Sequence, residues 1–370
     1  MEVYLDNSAT TRPYRQVVDL MADVAYNHWG NPSTTYKLGD DARQIIENVR
    51  KQIANDINAD PSEIIFTSGA CEANSLAYTA GINRHTISSK LEHKSLDMIN
   101  TTYARLVEND VFGQVSLGSL YNQMAGAYNA NKTWFITIQA ANGEIGTIQN
   151  LKELSDWSHD FDVIFHTDAT QLYPERRIDV QAMGVDMMSV SAQKFHGPRG
   201  AGFLYVKNGI KLEPIIYGSQ EGGLRGGTYN TAAIAGMGKA LELTRQHNSS
   251  EHIRWLRDGF LERLLKIPGV VLNGPSIGAQ RLANNINITI NGVNAERLVT
   301  LCGLYGVYIS KGSACNSYNP EPSSTLKAIG LTDEQAFNTI RITLDEFNTE
   351  AEISYATEII TKLVERIRNE

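Results

Sequence analysis

Short apolar runs separated by amphipathic stretches set the rhythm of the chain. Ile64-Ile65-Phe66 after Glu63, Thr86-Ile87-Ser88-Ser89, Trp134 to Ile138, Val163-Ile164-Phe165, Met187 to Ser191 and Gly202 to Val206 are each the length of a short strand. Such runs predict strands buried in a sheet. Between them apolar residues recur at helical spacing, as in Asp41 to Ile57, where Ile45, Ile46, Val49 and Ile53 alternate with charges and predict a surface helix. Strand and helix repeat four or five times up to Val206, which predicts βαβ units and a mainly parallel sheet. Beyond Glu251 the texture changes to an amphipathic stretch over Trp255–Leu265, an apolar run Gly269–Leu272 and the alternating Asn285–Ile290. A helix near Ala295–Tyr305, a strand at Thr339–Leu344 and a final helix from Glu350 complete an α+β unit. The pattern divides the chain into a large domain, 15–250, and a small one made of 1–14 and 251–370.

Two of the predicted strands end on polar residues. Val163-Ile164-Phe165 runs through His166 to Asp168, with Gln171 three residues on, and Met187–Ser191 runs into Gln193-Lys194 and a Gly-Pro-Arg-Gly turn. Open α/β sheets present reactive groups at the carboxyl ends of their strands. An acid at one strand end and a lysine at the next suit pyridoxal 5'-phosphate: the amine forms a Schiff base, and the carboxylate keeps the pyridine nitrogen protonated. The strand ending at Phe66 continues through Thr67-Ser68-Gly69-Ala70 into helix-forming Glu72–Ala77. A strand, a small-residue turn and a helix start offer free N–H groups to a phosphate. An ordinary capped helix and a solvated lysine are the bland alternatives, and the rest of the chain has to decide between the two.

Composition narrows the setting. The 370 residues are 42% hydrophobic and 20% charged, and a net charge of −8 argues against direct nucleic-acid binding. No apolar run approaches the roughly 18 residues of a membrane span, and MEVYLDNSATT lacks a signal peptide's basic and apolar regions. Cys71, Cys302 and Cys315 are too scattered for a disulfide framework or a metal cluster, so no metal is expected and the chain reads as cytoplasmic with reduced thiols.

Short motifs recur in order along the chain: Tyr4–Thr11, Gly30-Asn31-Pro32-Ser33, Phe66–Ala70, Glu92-His93-Lys94, Asn142–Gly146, His166–Gln171 and Lys194 with Gly197–Gly200. Arg225–Thr228, Gly312–Cys315 and Ile340-Arg341 complete the set, which covers nearly the whole chain. This set resembles the class V, fold-type-I pyridoxal-phosphate enzymes, and among them the NifS/IscS-like cysteine desulfurases. It implies a large domain with a mainly parallel seven-stranded sheet, a small α+β C-terminal domain and a homodimer. It further implies that Lys194 carries the cofactor and moves the Cα proton. Asp168 would pair with the pyridine N–H, Gln171 would bond the phenolic oxygen, and His93 would stack on the ring and shuttle protons. Ala70, Cys71, Ser191 and Gln193, with Thr228 from the second subunit, would surround the phosphate. Arg341, with Asn31 and Asn142, would take the carboxylate of L-cysteine.

Cys315 selects the reaction within that resemblance. Its surroundings, Ser310 to Ser317, are rich in small residues, whereas Cys302 lies in the apolar helical run Leu298–Leu304 and reads as core. The Cys315 thiolate would take sulfur from the bound substrate and release alanine. The spacing to Glu321-Pro322-Ser323 resembles the long-loop class, which delivers sulfur to a separate protein acceptor such as an iron–sulfur scaffold or a tRNA-thiolation enzyme.

Four departures from the family pattern cluster near the cofactor positions. Gln193 stands in place of a histidine, Cys71 in place of a threonine, Gly143 in place of a second asparagine, and Asp345-Glu346 in place of a small and a basic residue. The resemblance would place after Arg368 a tail that some members use to dock a scaffold, and such a tail is not expected here. These differences leave two alternatives open: a selenocysteine lyase or other class V lyase or transaminase, and a catalytically weak sulfur carrier or partner protein.

Overall fold

The computed structural model describes residues 1–81, 84–97, 104–125, 134–312 and 321–370. Its strands, in chain order, are β1 (Val3–Tyr4), β2 (Ile64–Thr67), β3 (His85–Ser89), β4 (Ala104–Val107), β5 (Trp134–Thr137) and β6 (Val163–Asp168). They continue with β7 (Met187–Ser191), β8 (Gly202–Val206), β9 (Val270–Leu272), β10 (Asn285–Ile290), β11 (Val307–Tyr308) and β12 (Thr339–Thr343). Seven of them form one sheet in the order β2-β8-β7-β6-β5-β3-β4. The pairs from β7 to β4 are parallel, as the alternation of strands and helices predicts, while β8 runs antiparallel to both β7 and β2. The reversal has a simple cause: residues 192–201 between β7 and β8 are too few for the dozen or so that a parallel crossover needs.

Sheet order brings the sequence motifs together. Helices such as Leu151–Asp160, Lys37–Ile57 and Thr231–His247 cover the sheet, and residues of β2, β5, β7 and β8 are buried throughout. The carboxyl ends of β7, β6, β5 and β3 therefore lie side by side along one edge, each followed by a motif: Lys194, Asp168, Asn142–Glu144 and His93. Thr67 and Ser191 are both in register with Gly202, so the Ser68–Cys71 turn after β2 lands beside the end of β7. That approach needs glycine, since a Cβ on Gly202 would stand 2.7 Å from the Cα of Gly69.

A second apolar core draws on Val3 and Leu5 and on residues from Leu256 to Val364, around the antiparallel sheet β12-β10-β9 and the parallel pair β1–β11. The alternation of Asn285–Ile290 is of the kind that usually leaves one face of a strand in water, yet every residue of β10 is buried. The polar face is covered because Asn285 and Asn287 donate to the Glu144 carbonyl of the large sheet's edge, at 3.1 and 3.0 Å. Element limits shift by a few residues. The helix predicted from Asp41 starts at Lys37, because its first turn is exposed except at Gly39 and carries no apolar stripe to announce it.

Candidate active site

Asp168, the last residue of β6, is buried and accepts two hydrogen bonds, from Asn74 Nδ2 at 2.7 Å and from the Thr170 amide at 3.0 Å. An ionised carboxylate has roughly four acceptor positions, so it can still receive a ring N–H. The Asn74 amide also donates to Ser95 Oγ at 3.0 Å, and Ser95 meets His93 Nδ1 through both its hydroxyl, at 2.9 Å, and its amide, at 3.2 Å. Because an amide only donates, Nδ1 is the unprotonated nitrogen and neutral His93 carries its proton on Nε2. Asn74 thus sets the spacing between Asp168 and His93. Sequence reasoning missed it, although an asparagine amid Ala73, Leu76 and Ala77 on the buried face of a helix was a usable signal.

Glu92 fastens the His93 turn from behind. Its Oε1 accepts from Ser89 Oγ at 2.6 Å and from the Gln139 amide at 3.0 Å, joining the end of β3 to the segment after β5. Burial, with some help from Asp168 and Asp97, pushes this carboxyl up to about 8. Beneath Asp168, burial lowers His166 to about 4, and its ring is held neutral between Thr137 and Ser189 at 2.8 and 2.9 Å.

Lys194 projects from the turn after β7 toward the N-terminal segment. Its Nζ donates to the carbonyls of Ser8 and Ala9 at 2.5 and 2.7 Å, and Gln171 Nε2 donates to the same Ser8 carbonyl at 3.1 Å. The Ser8-Ala9 carbonyls are the second contribution that motif reading left without a role. Gly143 accounts for the position of Gln171: a Cβ there would lie 2.7 Å from Gln171 Cδ and Nε2.

At the other end of the site, Gly69 adopts φ +150°, and a Cβ built on it would stand 3.4 Å from Ser191 Oγ. The helix Ala70–Tyr78 begins here, and its first backbone bond runs from Ala73 to the Gly69 carbonyl. The amides of Ala70 and Cys71 precede that bond and form a helix start beside the Ser191 hydroxyl. Cys71 is exposed, and the Gln193 carbonyl accepts from both the amide and the hydroxyl of Thr11 at 3.0 Å. A lysine amine, a buried carboxylate with acceptor positions to spare and a helix start beside a serine hydroxyl are the three kinds of group that pyridoxal phosphate requires, so the residues present fit it.

Arg341 lies on β12, facing the large sheet. Its guanidinium donates to Asp6 Oδ1 at 2.6 Å and to the Gly143 carbonyl at 3.4 Å. Asn142 spends its side chain on the turn beneath, donating to the Leu91 carbonyl at 3.0 Å and accepting from the Glu144 and Ile145 amides at 2.8 and 2.9 Å. It shapes the Gly143–Glu144 turn rather than reaching into the site. Asn31 is exposed in a local turn in which its Oδ1 caps the Ser33 amide, and Thr228 is exposed in the loop after Arg225. Cys302 is fully buried, and burial pushes its thiol up to about 12. Cys315 lies outside the described residues.

The acidic pair Asp345-Glu346 serves the joint between the two cores. Glu346 accepts from the Tyr14 hydroxyl at 2.6 Å and meets His247 Nδ1 at 2.8 Å, beside a cavity of about 360 Å³ that Asn7, Lys194 and Asp345 also line. Among the described residues no helix is long and apolar enough to cross a membrane, and no group of three or more His, Cys, Asp or Glu side chains is placed to hold a metal.

Comparison with known proteins agrees with this geometry. The aminotransferase class-V family matches residues 3–355. A protein named cysteine desulfurase IscS from Methanosarcina thermophila is 37% identical over 99% of this chain and 93% of its own length. One of the same name from Dictyoglomus turgidum is 38% identical over 99% of this chain and 95% of its own. A solved NifS-like protein superposes with a TM-score of 0.89 at 29% identity, covering 99% of this chain and all of the other. A structure described as SspA in complex with cysteine does so with a TM-score of 0.79 at 32% identity, over 94% of this chain and all of the other. The chain belongs to the aminotransferase class-V family of pyridoxal-phosphate enzymes, among the IscS- and NifS-like cysteine desulfurases.

Proposed function

We propose that this protein converts L-cysteine to L-alanine, collects the sulfur as a persulfide on Cys315 and hands it to a protein acceptor. The observation that carries the reading is the order of the sheet, which sets Asp168 and Lys194 at the ends of neighbouring strands and the Gly143 carbonyl, to which Arg341 donates, after the next strand. Pyridoxal phosphate bound there supplies an electron sink conjugated to the substrate Cα. Lys194, aimed by the Ser8 and Ala9 carbonyls, holds the cofactor and then moves the Cα proton. Asp168 keeps the ring nitrogen protonated, and His93 offers its Nε2 for proton transfer while Ser95 occupies Nδ1. Arg341 takes the substrate carboxylate on the guanidinium that Asp6 now engages. In the sulfur step Cys315 Sγ bonds to the substrate sulfur as the substrate's C–S bond breaks. The two electrons and a proton go to the carbon that becomes the alanine methyl, and the oxidised sulfur stays on Cys315 as the outer atom of the persulfide.

The second apolar core, built from Val3, Leu5 and residues beyond Leu256, supports the division into a domain of 15–250 and one of 1–14 with 251–370. The exposure of Thr228 supports a homodimer in which that hydroxyl reaches the partner's phosphate site, and absence of a membrane-spanning helix among the described residues is compatible with cytoplasmic work. The test is the yield of alanine and persulfide from L-cysteine with the cofactor-loaded parent, Lys194→Ala and Cys315→Ala. Both products should vanish with Lys194→Ala, and the persulfide with Cys315→Ala. Undiminished turnover in Cys315→Ala would show a lyase in which this thiol is not the acceptor.

A further inference from the structure

Glu144 is 7% exposed and has no place in the chemistry above, yet three parts of the site converge on it. Its neighbour's carbonyl, Gly143 O, accepts from Arg341 at 3.4 Å. Its own carbonyl accepts from Asn285 and Asn287 on β10, and Asn287 is in register with Arg341 on β12. Its side chain reaches both flanks of the stretch that carries Cys315. On the far flank, Ser323 donates to Glu144 Oε2 at 2.8 Å. On the near flank, Oε1 lies against Gly312, where φ is +104° and a Cβ would fall inside its van der Waals surface. Oε1 has no hydrogen-bond partner among the described residues. Ser310, two residues before Gly312, exchanges both backbone bonds with Arg341, at 3.0 and 2.7 Å.

We propose that Glu144 is the positioning residue that ties both ends of the Cys315 stretch to the Arg341 carboxylate site. The inference rests on the desulfurase reading and deepens it. One rigid turn, Asn142–Gly146, would set where the substrate carboxylate sits and where the thiol-bearing stretch begins and ends. A reacting pair must come within about 3–3.5 Å, and a misplacement of about 1 Å costs on the order of a hundredfold in rate. Arg341 hydrogen-bonds Asp6 and the Gly143 carbonyl and feels the Glu144 carboxylate only through space, so it should still bind substrate without the Glu144 side chain. Loss of the side chain should therefore show in the sulfur step and not in binding.

The experiment compares cofactor-loaded parent, Glu144→Ala, Ser323→Ala and the double variant, reading KM for L-cysteine, kcat, and persulfide on Cys315 by mass spectrometry after a single turnover. Glu144→Ala should lower kcat and the rate of persulfide formation tenfold or more with KM within about twofold. Ser323→Ala should lower them less, since Glu144 also lies against Gly312, and the double variant should be no slower than Glu144→Ala, since Ser323 acts through Glu144. Glu144→Gln, which keeps an acceptor for Ser323, should recover most of the rate. Persulfide formation at the parental rate in Glu144→Ala overturns the inference, as does a loss confined to KM. If Glu144→Ala fails to fold, an unchanged persulfide rate in Ser323→Ala overturns it. No persulfide in the parent would instead end the desulfurase reading.

Discussion

Glu92→Gln gives a prediction whose sign and size both follow from the structure. The carboxyl is buried, with two donors on Oε1 and no partner for Oε2 among the described residues, and burial carries it from 4.5 up to about 8. Because the folded-state value is raised, its contribution to stability is whole below pH 4.5 and is lost as pH climbs through about 8. At about 1.4 kcal/mol for each unit, ionised Glu92 costs the fold on the order of 4–5 kcal/mol at alkaline pH. Glutamine copies the protonated acid: it keeps an acceptor for Ser89 and Gln139 and cannot ionise. Urea unfolding of the two proteins, both saturated with cofactor, should give stabilities within about 1 kcal/mol at pH 5. The variant should then become the more stable by several kcal/mol at pH 9. A difference that stays constant from pH 5 to pH 9, or a variant that loses ground as pH rises, would refute the assignment of a buried, mostly protonated Glu92.

Two further expectations concern Gly143 and the cysteines Cys71 and Cys302. Gly143→Asn puts a Cβ where Gln171 now lies, 2.7 Å from its amide, so Gln171 must leave the Ser8 carbonyl; the visible absorption band of the bound cofactor should shift and its retention on dilution should fall several-fold, and an unchanged band and retention would contradict this packing. Cys302, buried with its thiol pushed up to about 12, should resist iodoacetamide at pH 8 until the chain is unfolded, while exposed Cys71 reacts in the native protein; peptide mapping of the alkylated protein checks both, and native labelling of Cys302 would contradict its burial.

Much of the architecture was legible because strand length and helical spacing are local. The apolar runs from Ile64 to Val206 and the amphipathic stretches between them name the layers, and the polar residues that end the runs, Asp168 and Lys194, name the chemistry. The antiparallel entry of β8 was implicit in the short connection from Ala192 to Ala201. Sheet order was not: that β6 lies between β5 and β7, so that Asp168 neighbours both Lys194 and the Asn142–Glu144 turn, depends on which strands pair across long separations. The roles of Asn74, Glu92 and the Ser8-Ala9 carbonyls were hidden for the same reason. Their meaning lies in partners 94, 47 and 186 residues away, for which no spacing rule exists. Glu144 shows the limit most clearly. As a letter in Asn142–Gly146 it is one more surface-type acid, and only the docking of β10 and β12 onto the large sheet removes it from water and sets it between Gly312, Ser323 and Arg341. Periodicity along the chain determined which faces are apolar; close packing of those faces decided which polar groups were left to meet.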